Sequence, residues 1–507
     1  MVPSPDVKQR GNVSSTTTSV SSTTTSTTPE KYTPIITDIE TYKSQNDAAN
    51  KEKFKNIDWK SKIVKRVPNE FGGPLGCLLI MTFSHFIVFY FFACLNVNGG
   101  ALILPESWSL TGLQEWGYKL FSILYEKAFP TAYAIQVYWI FQIANAIFYV
   151  TLPGIGIDGL PLPTLNGKHL SYHCNALCTW YVTIPLMFVL HITGVFPLTD
   201  IYDNLGPITT VAVLSSDLIA IAVYLYAIVS GEAEQDNSGN VIYDFFMGAW
   251  LNPRIGKLDI KMFAEVRVSW IMLFLITLSC AVKQYEQLGY VTFSMGFILL
   301  AHGIYCNAIM KGEQCIPPTW DIYHEKWGWM LCWWNLAGVP LVYCTQPVYI
   351  LTHPPEMLQG SPLVNGFMLV LLLVGYYIFD TVNSQKNTFR MRLAGIWKPR
   401  PWAFPQLPWA VLSNPKFMIT KAGSPLLIDG WYSLARKLHY TADMMMALTW
   451  TMSCGYHHFI PHFYAFFFSG MLYHRCLRDE HKCAEKYKQD WVEYCKRVQY
   501  RFIPYIY

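Results

Sequence analysis

Apolar runs long enough to cross a hydrocarbon core of about 30 Å begin near Cys77, Ala132, Cys174, Ile208, Val268, Val291, Gly328 and Leu363. Two shorter runs follow, Met444 to Cys454 and Phe459 to Tyr473, with Pro461 between them. Backbone polar groups in lipid need partners within the protein, so these two pieces predict a broken or paired helix buried against the others. The pattern predicts an all-α, polytopic integral membrane protein with about ten transmembrane helices. A polar stretch from Ser230 to Arg267 interrupts it, carrying Asp244-Phe-Phe-Met247-Gly248 and Asn252-Pro253-Arg254. No internal repeat at solenoid or transporter-half spacing is visible.

Flanking charge orients the spans. Seven lysines and arginines lie between Lys51 and Arg66, ahead of the first run, and Arg475, Arg478, Lys482, Lys486, Lys488, Lys496, Arg497 and Arg501 follow the last. Positive flanks stay on the cytosolic side, so both termini are expected there, and an even span count agrees. Residues 1–67 read as a disordered cytosolic tail, Ser/Thr-rich from Ser14 to Thr28, ending in a basic juxtamembrane segment. No apolar core of a cleavable signal follows the first methionine. Residues 68–507 form the multi-span domain.

Composition agrees with a chain dissolved mostly in bilayer: 52% hydrophobic, 16% aromatic and 14% charged residues. The formal net charge is only +4, with basic residues in membrane-flanking clusters, which excludes nucleic acid as a partner. Thirteen cysteines scattered through apolar segments read as reduced packing residues.

Three apparent motifs are set aside. Gly154-Ile-Gly156-Ile-Asp-Gly159 matches a dinucleotide fingerprint in letters but follows an apolar span and lacks the later acidic residue. His169 with His173, and His458 with His462, have spacing that suits paired ligands, yet acidic partners are missing and Pro461 interrupts the second pair. Cys174 and Cys178 have no matching second pair. No metal is expected.

The chain's last 120 or so residues are different, because dense polar clusters sit beside apolar segments there. They are Asn383 to Arg390, Leu426 to Asp443 and Arg478 to Tyr487. Ionisable groups at membrane spans are functional candidates by default. Lys386 and Arg390 are four apart, hence on one helix face, and Arg436 and Lys437 add charge beyond the Gly430-Trp431-Tyr432 bend. Cations on phosphates and rings on a flat heterocycle suit a nucleotide cofactor. A basic belt attracting anionic lipid fits the residue types equally well. Asp479, Glu480 and His481 favour the shaped site, since a lipid-attracting belt gains nothing from carboxylates.

Ordered along the chain, these clusters resemble the sterol reductase family of C-14, C-7 and C-24(28) reductases. The resemblance rests on Asn383-x-x-Lys386-x-x-x-Arg390, on Leu426 to Asp443, and on Arg475-Cys-Leu-Arg478-Asp479-Glu-His-Lys-Cys483-Ala-x-Lys486-Tyr487-x-x-Asp490-Trp491-x-x-Tyr494, and covers roughly residues 71–507. Within the family, Asp429-Gly430-Trp431-Tyr432 and His439-Tyr440-Thr-Ala-Asp443 resemble the fungal branch acting on the C-24(28) methylene of the sterol side chain, the last step of ergosterol biosynthesis. Ring reductases carry tryptophan where Tyr432 stands and asparagine where His439 stands.

The resemblance implies a ten-span fold with NADPH in a C-terminal pocket, from about 383 to 507, open to the cytosol. Lys386, Arg390, Leu427, Tyr432, His439, Tyr440, Asp479, Cys483, Ala484, Glu485, Lys486, Tyr487 and Tyr494 would line the cofactor. Tyr305 and Asp479 would be catalytic, delivering the proton, with Glu313 and Asp443 as supports of the pocket. The sterol would enter from the bilayer of the endoplasmic reticulum, with membrane lipid and other enzymes of sterol biosynthesis as neighbours.

The chemistry constrains the site independently. An isolated 24(28) alkene is not electron-poor, so protonation of C28 must come first, leaving a tertiary cation at C24 that accepts hydride. The enzyme needs an acid and a cation-tolerant pocket; Trp431, Tyr432 and the aromatics from Trp327 to Trp334 offer such faces. The alternatives are a C-14 or C-7 ring reductase, a non-catalytic sterol-binding membrane scaffold, and a transporter, for which Asp217 is the one mid-span charge.

Overall fold

The computed structural model describes residues 66–506 and, ahead of them, positions 35–36, 38–40, 42, 58–59 and 63. Most of the expected Ser/Thr-rich tail lies outside the described residues. Within it, the β-branched pair Ile35–Ile36 (β1) does take a fixed place, adding a strand beside Phe417 and Met418.

The chain forms helices α1 (Gly73–Val97), α2 (Leu110–Lys127), α3 (Ala132–Thr151), α4 (Ala176–Ile192), α5 (Leu205–Ser230), α6 (Ser269–Leu288), α7 (Phe293–Gly312), α8 (Pro362–Leu393), α9 (Leu438–Met452), α10 (Ile460–Tyr487) and α11 (Gln489–Arg497). Side-chain oxygens of Ser109, Thr131, Thr292 and Ser361 cap the free amides at the starts of α2, α3, α7 and α8. Among the described residues, six helical segments are long and apolar enough to cross a membrane: Glu70–Val97, Ala132–Thr151, Leu205–Ser230, Ile260–Leu288, Phe293–Cys315 and Pro362–Leu393. The other four expected runs appear as the shorter α4, an interrupted run through Trp329–Trp333, Trp334–Gly338, Val339–Val342 and Thr345–Thr352, then α9, and the apolar half of α10. Pro461 opens α10 rather than breaking it, because a first-turn proline has no amide to lose.

Ile260–Leu288 is the centre of the bundle, with 83% of its apolar window buried against 22% for Pro362–Leu393. Among the described residues there are two π-helical turns, Ala264–Val268 within that segment and Trp334–Gly338 beside it. The first turns Arg267 into the core. Arg267 and Glu313 pair at 2.6 Å with side chains 0% and 3% exposed. Arg267 also donates to Asn175 Oδ1 and lies 4.5 Å over the Tyr149 ring, while Glu313 Oε2 accepts the Ala176 N–H at 2.6 Å. One ion pair thus ties α3, α4, the end of α7 and the entry to α6. Lys311 pairs with Asp380, joining α7 to α8.

The discarded motifs have structural uses. Ile155–Asp158 (β2) pairs antiparallel with Ser171–Cys174 (β3), so the glycine pattern belongs to a hairpin and not a phosphate turn. His169 and His173 meet the carbonyls of Gly159 and Leu152, and His458 and His462 meet the Tyr349 hydroxyl and the Gly455 carbonyl. Asp217 lies 2.9 Å from His85 Nε2 and accepts the Trp329 indole N–H at 2.8 Å, so its mid-span charge is spent on packing α5.

Breaking one partner of a buried pair leaves a desolvated charge, which costs about 3–5 kcal/mol. Arg267→Met is expected to lose stability on that scale, read as a lower melting temperature in detergent. Wild-type melting would show that Glu313 finds another partner.

Candidate active site

The loop after α8 returns to the bundle as Phe417–Ile419 (β4) paired with Pro425–Leu427 (β5), followed by the Asp429 to Tyr432 turn. Most of that motif is structural. Asp429 accepts the amides of Gly430 at 2.8 Å and Lys416 at 3.0 Å. Trp431 donates its backbone N–H to Gln385 Oε1 at 3.0 Å and its indole N–H to Thr381 at 2.9 Å, which docks the loop on α8. Gly430 has φ +58°, and a Cβ there would collide with the Gln385 amide, so glycine alone allows the approach. Trp431 packs on Trp409 and Tyr377, leaving Tyr432 as the motif residue that faces the pocket.

The cations divide by commitment. Arg436 is held by Glu480 at 3.0 Å and by the carbonyls of Val498 and Gln499, and Arg501 holds the other Glu480 oxygen at 2.7 Å. Lys437 is ion-paired with Asp479. Among the described residues no ion pair reaches Lys386 or Arg390. Lys386 Nζ lies 5.7 Å over the Tyr432 ring and faces Arg390, Lys437, Asp479 and Cys483. Tyr432 in turn faces Tyr494, Arg390 and Tyr440. Leu427 packs in the same apolar cluster as Tyr432. The structure therefore brings together Lys386, Arg390, Leu427, Tyr432, His439, Tyr440, Asp479, Cys483 and Tyr494. Ala484, Glu485 and Lys486 lie on the exposed side of the last turns of α10, with Glu485 beside His481 at 3.2 Å and Lys486 over Tyr487 at 5.0 Å.

Local electrostatics follow from this crowding. Burial alone would push the Asp479 carboxyl up, but Lys437, with Lys386 and Arg475 beyond it, outweighs that and holds it below the usual carboxylate range. Burial also works against the Lys437 ammonium, and Asp479 overcomes it, raising Lys437. Burial, then Lys386 and Lys437, hold His439 well below the usual imidazole range. A neutral imidazole offers one donor and one acceptor, so His439 can replace an asparagine amide in hydrogen bonding. Among the described residues its Nδ1 is buried without a partner, as is the Tyr432 hydroxyl. Burial pushes the Cys483 thiol up to about 11.

Deeper in the bundle, Tyr305 on α7 is 5% exposed, with the carboxyl of Asp443 on α9 near its hydroxyl. The groups facing Tyr305 are Asp443, Tyr464 and Tyr343. Aromatic rings enclose it: Trp270 and Trp450 each at 5.2 Å, Phe379 at 5.7 Å. Sequence reasoning had no means of selecting Tyr343, Tyr464, Trp450 and Trp270 from a chain rich in aromatics. Trp334, in the stretch expected to supply a cation-tolerant face, reaches this box through Tyr343 at 5.7 Å. Asp479 lies with Lys437 at the pocket and not among the groups facing Tyr305.

The protein thus combines membrane-spanning helices, Tyr305 and Asp443 buried in an aromatic box, and a cluster of cations around Tyr432. Residues 65–507 match the ergosterol biosynthesis ERG4/ERG24 family, and the chain belongs to it. It is 42% identical over 454 residues to the Delta(24(24(1)))-sterol reductase erg4A of Aspergillus fumigatus, covering 89% of this chain and 95% of that one. It is also 42% identical to the Delta(24(24(1)))-sterol reductase of Gibberella zeae, covering 86% and 73%. Against the Delta(14)-sterol reductase of Dictyostelium discoideum the identity is 34%, covering 86% and 91%. The family's named enzymes are oxidoreductases acting on sterols, so this chain is a membrane-bound sterol reductase.

The Lys437–Asp479 pair predicts a pH window. Asp479 has a lowered folded-state pKa, so its stabilisation is present above the unfolded value of about 3.9 and is lost as pH falls through the folded value. Lys437 is raised, so its share is present below about 10.4 and is lost as pH rises through the folded value. Melting temperatures of wild type and Asp479→Asn are expected to differ steadily from pH 5 to 9 and to converge in stronger acid. A difference that persists unchanged at pH 2 would rule the pair out as its source.

Proposed function

We propose that this protein reduces the C-24(28) methylene double bond of a sterol side chain with NADPH, completing ergosterol in the endoplasmic reticulum membrane, both termini cytosolic. The observation that carries this reading is Tyr305 and Asp443 inside an aromatic box, together with a pocket whose Lys386 and Arg390 have no ion pair among the described residues. The choice of side chain over ring rests on the two 42% identical relatives named for that bond, and on Tyr432 and His439 at the positions where ring reductases differ.

The residues present fit such a cofactor. Lys386 and Arg390 are free to take phosphate oxygens, and the orphaned Tyr432 hydroxyl and His439 Nδ1 are buried polar atoms awaiting a partner. Tyr440 and Tyr494 would flank the flat rings, with Leu427 and the Cys483 to Tyr487 turn closing the pocket. When bound, NADPH supplies the hydride.

The chain's own residues supply the rest. Tyr305 donates its hydroxyl proton to C28. A carboxyl without a cation beside it keeps its proton more readily than one paired to lysine, so Asp443 suits the support of that acid. Trp270, Trp450 and Tyr343 present ring faces to the positive charge that develops at C24, and their packing keeps out the water that would capture it. Asp479, the second expected catalytic residue, acts from the cofactor side, where its charge balances the cations and orients Lys437. The sterol reaches this box laterally from the bilayer.

Three measurements test the reading. A strain lacking this protein is expected to accumulate 24(28)-methylene sterols; accumulation of 14-ene or 7-ene sterols would overturn the assignment in favour of a ring reductase. Tyr305→Phe is expected to lower kcat roughly 100-fold or more with little change in cofactor affinity, whereas equal loss of both would make Tyr305 structural. Lys386→Glu removes a charge-assisted contact worth about 1.5–3 kcal/mol and is expected to raise the KM for NADPH about 10-fold or more; an unchanged KM would discard the phosphate role.

A further inference from the structure

A short piece of the N-terminal segment reaches the pocket. β1 (Ile35–Ile36) lies along the edge of β4 that β5 leaves open, with Ile35 opposite Met418 and Ile36 opposite Phe417, which gives a three-stranded sheet in the order β1, β4, β5. Asp38 then opens a helical turn: its carbonyl accepts the Tyr42 N–H at 3.2 Å and its Oδ1 accepts the Glu40 N–H at 2.9 Å. The turn has two faces. Ile39 is 6% exposed and Tyr42 is half-buried, while Asp38 and Glu40 are exposed. Ile39 belongs to the apolar cluster that holds Phe389, Phe417, Leu427 and Tyr432, and Ile36 and Tyr42 pack against it. The Tyr42 ring meets Phe417 edge-on at 5.6 Å, and Phe417 meets Phe389 at 5.2 Å.

Two paired strands on their own are marginal in water, and a third strand over an apolar face is what lets so small a sheet hold its shape. This sheet runs straight into the pocket. Ile428 donates its N–H to the Lys416 carbonyl at 3.0 Å, and Lys416 donates its own to Asp429 Oδ2 at 3.0 Å, so the hairpin and the Gly430 turn move as one piece. Its two faces serve two sides of the pocket: Phe417 and Leu427 share a cluster with Tyr432, and Met418 and Leu426 share another with Tyr494. Phe389 stands one residue before Arg390 on α8. Ordering residues so far from the bundle in sequence costs conformational entropy. The apolar burial that offsets it falls on the residues that back Tyr432 and Arg390.

We propose that the segment from Ile35 to Tyr42 completes the cofactor pocket, bracing the β4–β5 hairpin and Phe389 so that Tyr432 and Arg390 meet the nucleotide in a fixed arrangement. This rests on the NADPH reading of the pocket given above. Ile36, Ile39 and Tyr42 are positioning residues, acting through Phe417, Leu427 and Phe389. Tyr305 and Trp450 belong to a different apolar cluster, so the segment's effect is on the cofactor and not on the sterol.

NADPH is titrated into full-length wild type, Ile39→Asp, Tyr42→Ala and Ile39→Val in detergent and followed by nucleotide fluorescence; kcat and both KM values are then measured on a 24(28)-methylene sterol. Ile39→Asp puts a charge into the cluster and Tyr42→Ala removes the ring on Phe417. Each is expected to weaken NADPH binding and raise its KM about 10-fold, while kcat at saturating NADPH and the KM for sterol stay within about twofold of wild type. Ile39→Val keeps the apolar contact and is expected to bind NADPH as wild type does. Unchanged NADPH affinity in either folded variant would overturn the proposal, and so would a matching rise in the sterol KM or a matching loss of kcat, which marks general loosening. If Ile39→Asp fails to fold, Tyr42→Ala decides, because it only shortens a half-buried side chain. The titration does not depend on which alkene is reduced. Wild type that binds no NADPH would overturn the cofactor reading itself, and the segment's role with it.

Discussion

A charge inside this bundle persists only if another group satisfies it, because hydrocarbon offers no solvent to do so. The Arg267–Glu313 pair answers that constraint with both partners buried. Each partner is further bonded, Arg267 to Asn175 and Glu313 to the Ala176 amide, so two ions hold four elements in register. The π-helical turn at Ala264–Val268 is what aims Arg267 inward. Such turns displace side chains from an ordinary helical face and recur at functional sites.

That constraint fixes α7, and α7 carries Tyr305. One end of the helix is held by Glu313 against the entry to α6, and Lys311 ties the same end to Asp380 on α8. Thr277 on α6 meets His302 one turn before Tyr305 at 2.7 Å. Tyr305 is thus placed by contacts that have nothing to do with substrate, and its hydroxyl is left for Asp443. Rigid support of this kind is what an acid needs if it is to meet a reacting carbon at a fixed distance.

The pocket follows the opposite rule. Arg436 and Lys437 are committed to Glu480 and Asp479, whereas Lys386, Arg390, the Tyr432 hydroxyl and His439 Nδ1 are not satisfied by the described residues. Unpartnered polar groups are expensive to bury, and here several of them border one space. The Asp429-Gly430-Trp431 turn that closes this space is held by hydrogen bonds to α8 and by a glycine with positive φ. α9 joins the two regions, since its first turn carries His439 and its next carries Asp443.

Hydrophobic runs sufficed for the membrane class and for the separate nature of the polar C-terminal clusters, because lipid demands continuous apolar length and penalises stray charge; ten spans were expected, and six helical segments among the described residues are long and apolar enough to cross. The order of residues from Asn383 to Arg390, Leu426 to Asp443 and Arg475 to Tyr494 sufficed for the family. Local spacing also showed that Lys386 and Arg390 share a helix face. Which cations are free and which are tied was not legible, since Glu480 and Asp479 lie more than forty positions from the arginine and lysine they neutralise. The aromatic box was equally hidden: Tyr343, Trp450 and Tyr464 look like any other core residues until packing brings their rings together around Tyr305. Sequence determines what each segment can tolerate next to lipid. Only tertiary packing decides which polar groups end up without a partner, because that depends on distances between elements far apart in the chain.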